Sequence, residues 1–295
     1  MNFEFSIIIP IYKCKFFERA INSVRNQKYV NWELIIIDNN FDDSVKRFLE
    51  KIKDNRIKYF KISNNGIIGK SRNLGIKKSK NEWLCFLDSD DYWTSNKLNE
   101  TLKVIKEKKY DLIHHNMYVD EKSIKIFKSK LYDYEIKNQN IKFDDLILNG
   151  NNIIQSSVVV KKKILKRVKY FSNKKELIAW EDFDLWLKIA KITNKFFLIN
   201  KCLGSYHVSK DKNEKLKRFI KNIHEFKKKY KFEISKIKKK FNIENLWWTE
   251  YAEALNFKKD KKYHKSYLKV KNIKTQNFKM KLRIFYLKLI LNLKT

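Results

Sequence analysis

The sequence predicts an α/β protein: a mostly parallel central sheet flanked by helices, followed by a basic helical extension. Three observations carry this. Short apolar runs such as "FSIII" and "WELIIID" recur without polar alternation, as in strands buried on both faces. Between them stand segments with apolar residues at i, i+3, i+4 and i+7. Hydrophobic residues make up 43% and aromatics 15% of the 295 positions, enough for a sizeable core rather than a disordered chain.

The elements follow in order. Residues 5–9 form a first strand, which the only proline, Pro10, is expected to stop. Phe17, Ala20, Ile21 and Val24 mark a helix. "WELIIID" is the second strand, and Val45, Phe48, Leu49 and Ile52 mark the next helix. "IKYFKIS" is a third strand. "GKSRNLGIKKS" reads as a short helix and "WLCFLD" as a fourth strand. Leu98, Thr101, Leu102 and Ile105 give another helix, and "DLIHHNMYV" another strand. Further on, "NNIIQSSVVVKKKIL" reads as a strand entering a helix. Residues 176–190 read as one helix, and 195–209 as a strand followed by a loop. From about 211 the pattern is Lys-rich and helical.

Charge is uneven along the chain. The net formal charge is +34, from 67 Lys and Arg against 33 Asp and Glu. Residues 211–295 hold 26 basic and 8 acidic residues. So basic a tail suits an anionic partner, either nucleic acid or a membrane surface bearing anionic lipid. Cys14, Cys85 and Cys202 are odd in number and far apart, with no metal-ligand or CxxC spacing, as in a reducing compartment. No secretory signal and no spanning helix is read, so a cytoplasmic location is expected.

Acidic residues cluster where a nucleotide-dependent sheet would hold ligands, beyond the carboxyl ends of its strands. Asp38 ends the second strand, and Asp88, Ser89, Asp90 and Asp91 follow the fourth. Asp182 opens a helix in "WED". One such carboxylate is often a helix cap; Asp88 and Asp90 together exceed what a cap needs. Like charges this close repel each other. Mg²⁺ or Mn²⁺, which takes oxygen ligands from one or two carboxylates plus substrate phosphates, resolves the conflict. Other phosphate-binding signatures are missing. The first strand is followed by "PIYKCKFF", without GxGxxG, and in "GIIGKS" the glycines are three apart rather than five.

"FSIIIPIYK", "SVRNQKYVNWELIIIDNN", "NNGIIGKSRNLGIKKSKNEWLCFLDSDD" and "WEDFDLWLKIA" together resemble family 2 glycosyltransferases with the GT-A fold, of the bacterial surface-polysaccharide type. The resemblance spans about residues 3–208. It implies a Rossmann-like catalytic domain over 1–210, with a nucleotide-sugar half to about 118 and an acceptor half over 119–210. It also implies a nucleotide-sugar donor (UDP ahead of GDP or dTDP), a glycan or glycolipid acceptor, Mn²⁺ or Mg²⁺, and inversion at the anomeric carbon. By the same resemblance Pro10 and Tyr12 border the nucleobase and Asp38 contacts it. Arg72 lies near base and phosphates. Asp88 and Ser89 face the donor, Asp88 toward the ribose, and Asp90 takes the metal with Asp88. Asp182 is the catalytic base, and His207 sits where a loop can reach the diphosphate or metal. "DNNFDD" departs from the family's usual "DDGSSDD", with Asn39 in place of an aspartate. Glu181 and Asp184 are read as solvated or structural.

The tail matches no pattern we name. Trp247 and Trp248 read as core anchors packing against the catalytic domain. In residues 278–295 the polar groups fall on two faces, Lys279, Arg283 and Lys294 on one and Lys281, Lys288 and Asn292 on the other. That is not a simple amphipathic helix, although long cations can snorkel from an interfacial segment. The region is expected to hold the enzyme at the inner membrane face. The rival readings are a basic nucleic-acid-binding protein and a non-catalytic scaffold of the same fold. No nucleic-acid recognition motif is present, so no nucleic acid is expected.

Overall fold

Strands β1 (Phe5–Ile11), β2 (Trp32–Asp38), β3 (Ile57–Lys61) and β4 (Trp83–Phe86) are parallel neighbours in the order β3-β2-β1-β4. Helices α1 (Phe17–Arg25), α2 (Ser44–Ile52) and α3 (Ile68–Lys78) connect them. The computed structural model describes residues 4–40, 42–121, 124–126, 141–207, 212–275 and 278–293. All seven residues of β1 and of β2 are buried, which is why neither alternates. Phe17, Ala20, Ile21 and Val24 are the buried face of α1, as their spacing requires.

Pro10 does not stop β1, which runs on to Ile11 with Pro10 opposite Ile37. Ile8 O accepts from Leu87 N on the β4 side, and Ile11 O accepts from Asn39 N on the β2 side. Alternation therefore turns Pro10's missing N–H toward β4. That ladder has already ended at Ile8 and Phe86, so no sheet hydrogen bond is lost.

The sheet continues through β8 (Val159–Lys161), β6 (Leu112–Glu121), β9 (Phe196–His207) and β5 (Tyr92–Trp93), with β7 (Ile124–Ile126) paired to β6. β6 and β9 are parallel, whereas β8 is antiparallel to both β4 and β6. Helices α4 (Lys97–Lys106), α5 (Phe143–Asn149), α6 (Lys162–Arg167) and α7 (Glu181–Ala190) complete this stretch. Two boundaries differ from the sequence reading. The helix expected over 176–190 begins only at Glu181, after a 3₁₀ turn at Lys175–Leu177 and a left-handed Ala179. The loop expected before 209 is strand as far as His207, because β6 pairs with it through His207 on one side and β5 pairs on the other, Trp93 with Gly204 and Tyr92 with Ser205. A Cβ on Gly204 would meet Tyr92 O at 2.7 Å, so only glycine permits this approach.

The tail is helical: α8 (Lys212–Lys229), α9 (Lys231–Lys240), α10 (Trp247–Lys259), α11 (Tyr263–Val270) and α12 (Phe278–Asn292). The chain divides into two compact units, and residues 142–152, which carry α5, group with the tail rather than with the sheet. Trp247 and Trp248 are buried. Trp248 Nε1 donates to Ile147 O at 3.0 Å, and its indole lies 5.3 Å from the Phe226 ring, both partners belonging to the tail's own unit.

Candidate active site

The parallel strands end on one side of the sheet, and Asp38 and the Asp88–Asp91 turn lie at their carboxyl ends. Asp38 closes β2, in register with Ile11 of β1, and is fully buried. Its Oδ2 accepts from Tyr59 Oη at 2.8 Å and its Oδ1 from Asn40 N at 2.9 Å. Burial and this carboxylate push the Tyr59 hydroxyl up. Asn39 is also buried. Its Nδ2 donates to Asn64 Oδ1 at 2.7 Å, its Oδ1 accepts Asn64 N at 3.1 Å, and Asn64 Nδ2 donates to Ser71 Oγ at 2.9 Å. The amide that replaces the family's usual aspartate thus ties β2 to α3.

Pro10 is buried, and Tyr12 stands just beyond β1 with 39% of its surface exposed. Gly66, at φ +76, passes under the Tyr12 ring; a Cβ there would stand 2.7 Å from Tyr12 Cε1. An aromatic face held open at the end of a parallel sheet can stack on a planar ring.

After β4 the chain turns through Asp88, Ser89, Asp90 and Asp91. Asp91 is fully buried; its Oδ1 accepts from His207 N at 2.8 Å and its Oδ2 from Ser156 Oγ at 2.5 Å. Burial and then the charges of Asp88 and Asp90 push its carboxyl well up. It anchors the end of β9 to the turn. Asp90 is half-buried, and its carboxyl is pushed up by burial and by Asp88, against the opposing charges of His207 and Arg19. Arg19 of α1 donates Nη2 to Asp90 O at 2.6 Å, with its guanidinium 4.5 Å from the Tyr92 ring centre. The His207 ring lies 5.1 Å from that of Phe16. Ser89 is buried beside Cys14.

Arg72 joins the two halves of the site. It is 2% exposed; Nη2 reaches Asp88 Oδ1 and Nη1 reaches Glu181 Oε1, each at 2.6 Å. Both carboxylates hold its guanidinium firmly protonated despite burial. Glu181 and Asp184 are not solvated, with exposures of 5% and 3%. Glu181 is an ionic partner of Arg72, and Asp184 Oδ2 lies 3.7 Å from Lys188 Nζ. Asp182 sits in the first turn of α7, where the helix dipole favours a carboxylate. Phe183 N donates to its Oδ1 at 2.7 Å. Burial, then the charge of Glu181, raise its carboxyl to about 7 against the pull of Arg72.

Asp88 is thus linked through Arg72 to Glu181, the residue preceding Asp182, and His207 joins the same turn through Asp91. Arg19, Asp91, Ser156, Tyr59 and Glu181 are supporting residues that the sequence reading did not assign. The signal that could have found Glu181 is that a buried arginine needs carboxylates, but it depends on the burial of Arg72, which only the fold reveals.

Asp88 and Asp90 fit a hard divalent cation. Both are oxygen donors, their mutual repulsion raises the Asp90 carboxyl, and a dication relieves that repulsion. Among the described residues no group of three or more acidic, His or Cys side chains is placed to hold a metal ion, so a dication at Asp88 and Asp90 would need phosphate oxygens and water as its remaining ligands.

The family model for "Glycosyl transferase family 2" matches residues 6–169. The chain belongs to that family. It is accordingly a glycosyltransferase, of EC class 2.4. WfaP of Escherichia coli, described as a UDP-Glc:alpha-D-GlcNAc-diphosphoundecaprenol beta-1,3-glucosyltransferase, is 31% identical over 189 residues, 62% of this chain and 69% of that protein. An uncharacterized glycosyltransferase of Rickettsia bellii is 38% identical over 120 residues, and there the chain spans only 17% of the relative's length. Crystal structures of S. aureus TarS 1–349 share the fold. The UDP complex has a TM-score of 0.58 at 17% identity, covering 99% of this chain and 86% of that one. The UDP-GlcNAc complex has 0.59 at 21%, covering 72% and 60%. The mannosyltransferase PcManGT from Pyrobaculum calidifontis, solved with GDP-Man and Mn²⁺, has 0.53 at 14%, covering 75% and 63%.

Proposed function

We propose that this glycosyltransferase moves a sugar from a UDP-sugar to a hydroxyl of a lipid-linked surface glycan, with inversion and with Mn²⁺ or Mg²⁺. The observation that carries the reading is the buried Asp88–Arg72–Glu181 bridge. It couples the aspartate turn to the first turn of α7, so that the donor-binding and base-bearing segments form one unit. The donor and acceptor classes are taken from WfaP, whose name specifies UDP-glucose and a diphosphoundecaprenol acceptor.

Tyr12 and Pro10 border the base, and Asp38 accepts from its imide N–H. Asp88, with one oxygen on Arg72, faces the ribose with the other, and Ser89 shapes the turn. Asp90 and Asp88 are the residues that would hold the dication, with His207 as a further donor. Bound there, it would offset the charge that grows on the leaving diphosphate. Asp182 takes the proton of the attacking hydroxyl as that hydroxyl approaches the anomeric carbon from the face opposite the diphosphate. A base near 7 suits that task, since it is ionised at working pH yet basic enough to accept. The enzyme works at the cytoplasmic membrane face, brought there by its basic tail.

The test is a screen of nucleotide sugars for metal-dependent nucleotide release, together with calorimetry of UDP and Mn²⁺ on the wild type and Asp90→Asn. Release with a UDP-sugar, and loss of metal-dependent UDP binding in the variant, are expected. Equal binding by both would remove Asp90 as ligand.

A further inference from the structure

Helix α12 has two apolar faces. Met280, Ile284, Leu287 and Leu291 are buried, the last two packed with Ala254 and Val270. Leu282, Phe285, Tyr286, Leu289 and Leu293 are 54%, 63%, 66%, 46% and 85% exposed. At 3.6 residues per turn these five share an arc about 100° wide, opposite the buried four. Lys281 and Lys288 border the exposed stripe on one side and Arg283 on the other. The two apolar faces cancel in any measure of sidedness, which is why the sequence did not look amphipathic. Five large side chains in one exposed row are not ordinary surface.

We propose that this stripe seats α12 in the headgroup region of an anionic bilayer, with the five apolar side chains toward the acyl chains and the bordering cations on lipid phosphates. Charge selects this occupant. The segment Phe278–Asn292 contains no acidic residue, so a second copy packed stripe to stripe would set cation against cation. An anionic surface answers both the apolar row and its borders. At about 1.5 Å per residue the helix is about 22 Å long, and among the described residues none is long and apolar enough to cross a membrane; α12 therefore lies in the plane. Lys288 Nζ now donates to Lys271 O at 2.8 Å, a contact it exchanges for phosphate. The inference deepens the membrane-bound reading above but does not depend on its chemistry.

The full chain is floated with phosphatidylcholine vesicles, with and without phosphatidylglycerol, and donor hydrolysis is measured on the same samples. Flotation with the anionic vesicles is expected. Phe285→Ser with Leu289→Ser should lower the partition coefficient at least about tenfold, since withdrawing one such side chain from water is worth about that factor. Lys281→Gln with Lys288→Gln should lower it several-fold on the anionic vesicles alone. Both pairs belong to the tail's unit, and none of the four residues is among those assigned to the site, so donor hydrolysis and melting temperature should hold, which excludes misfolding as the cause. Flotation of Phe285→Ser/Leu289→Ser equal to wild type would overturn the proposal. So would wild type that stays off vesicles but forms a dimer that Phe285→Ser dissolves, which would assign the stripe to a second copy. Flotation as described without any donor hydrolysis would instead count against the proposed transfer and leave the stripe standing.

Discussion

Replacing Arg72 by methionine tests the bridge that joins the two halves of the site. Methionine fills most of the same space, so the loss is electrostatic rather than a cavity. The guanidinium is 2% exposed, and its partners' side chains, on Glu181 and Asp88, are 6% and 23% exposed. Removing one member of a buried pair costs about 3–5 kcal/mol, because the other charge stays buried without neutralisation. Glu181 bears that cost fully, whereas Asp88 can turn to water, so the lower end, about 3 kcal/mol, applies. At about 2–4 °C per kcal/mol for a unit of this size, the first melting transition should fall by about 6–12 °C. Circular dichroism melting at fixed pH measures it, and Arg72→Met with Glu181→Met should recover part of the loss. A shift under about 2 °C would mean that the pair contributes no more than an exposed one, and the structural role given to Arg72 would fail.

Asp182 makes two linked predictions. Its native carboxyl is raised to about 7, so the base is lost as pH falls through that value; kcat should drop on the acid side with a limb near 7, and Glu181→Gln should move the limb down. Asp182→Asn should retain UDP binding and lose about 10²–10⁴-fold in turnover, the contribution of one such base; near-normal turnover would remove the assignment. The same shift has a stability consequence. Between the ordinary aspartate value and about 7 the native state keeps a proton that the unfolded chain releases, so stability declines as pH rises through that window, and Asp182→Asn should flatten the decline in a pH series of melts. Gly66→Ala should push Tyr12 off its seat and strain a left-handed position, at a cost of about 1–2 kcal/mol. Calorimetry should show UDP bound more weakly; unchanged affinity would take Tyr12 out of the base site.

The sheet was legible where its physics is local. Strands β1 and β2 are buried on both faces, so the unbroken apolar runs at their centres, Ile7–Ile9 and Leu34–Ile37, could hardly be anything else, and α1 announced its buried face by spacing. Elements fixed by distant partners were not legible. The two-residue β5 has no periodicity to read, and "LGSYH" resembles a loop until β6 and β5 pair with it from either side. The end of the helix expected from 176 depended on Ala179 taking a left-handed conformation, which nothing in its type favours. Pro10 was misread for a related reason, since a proline ends a strand only where its N–H is needed, and that depends on where β4 stops.

The site divides along the same line. Carboxylates at strand ends stand out because topology gathers strand ends, and a charge surplus makes grouped aspartates conspicuous. What those carboxylates do to one another depends on a bridge across 109 residues, Arg72 to Glu181, and no local pattern encodes it. Glu181 looked like a bystander of Asp182 because neighbours in a helix point apart. In the fold that divergence is what gives each its part: one turns inward to neutralise Arg72, while the other has its carboxyl raised by burial and then by the neighbour's charge. An acidic pair that opens a helix beside a buried arginine thus separates into an ion-paired carboxylate and one whose carboxyl is raised, and the separation follows from burial and from which of the two the guanidinium reaches.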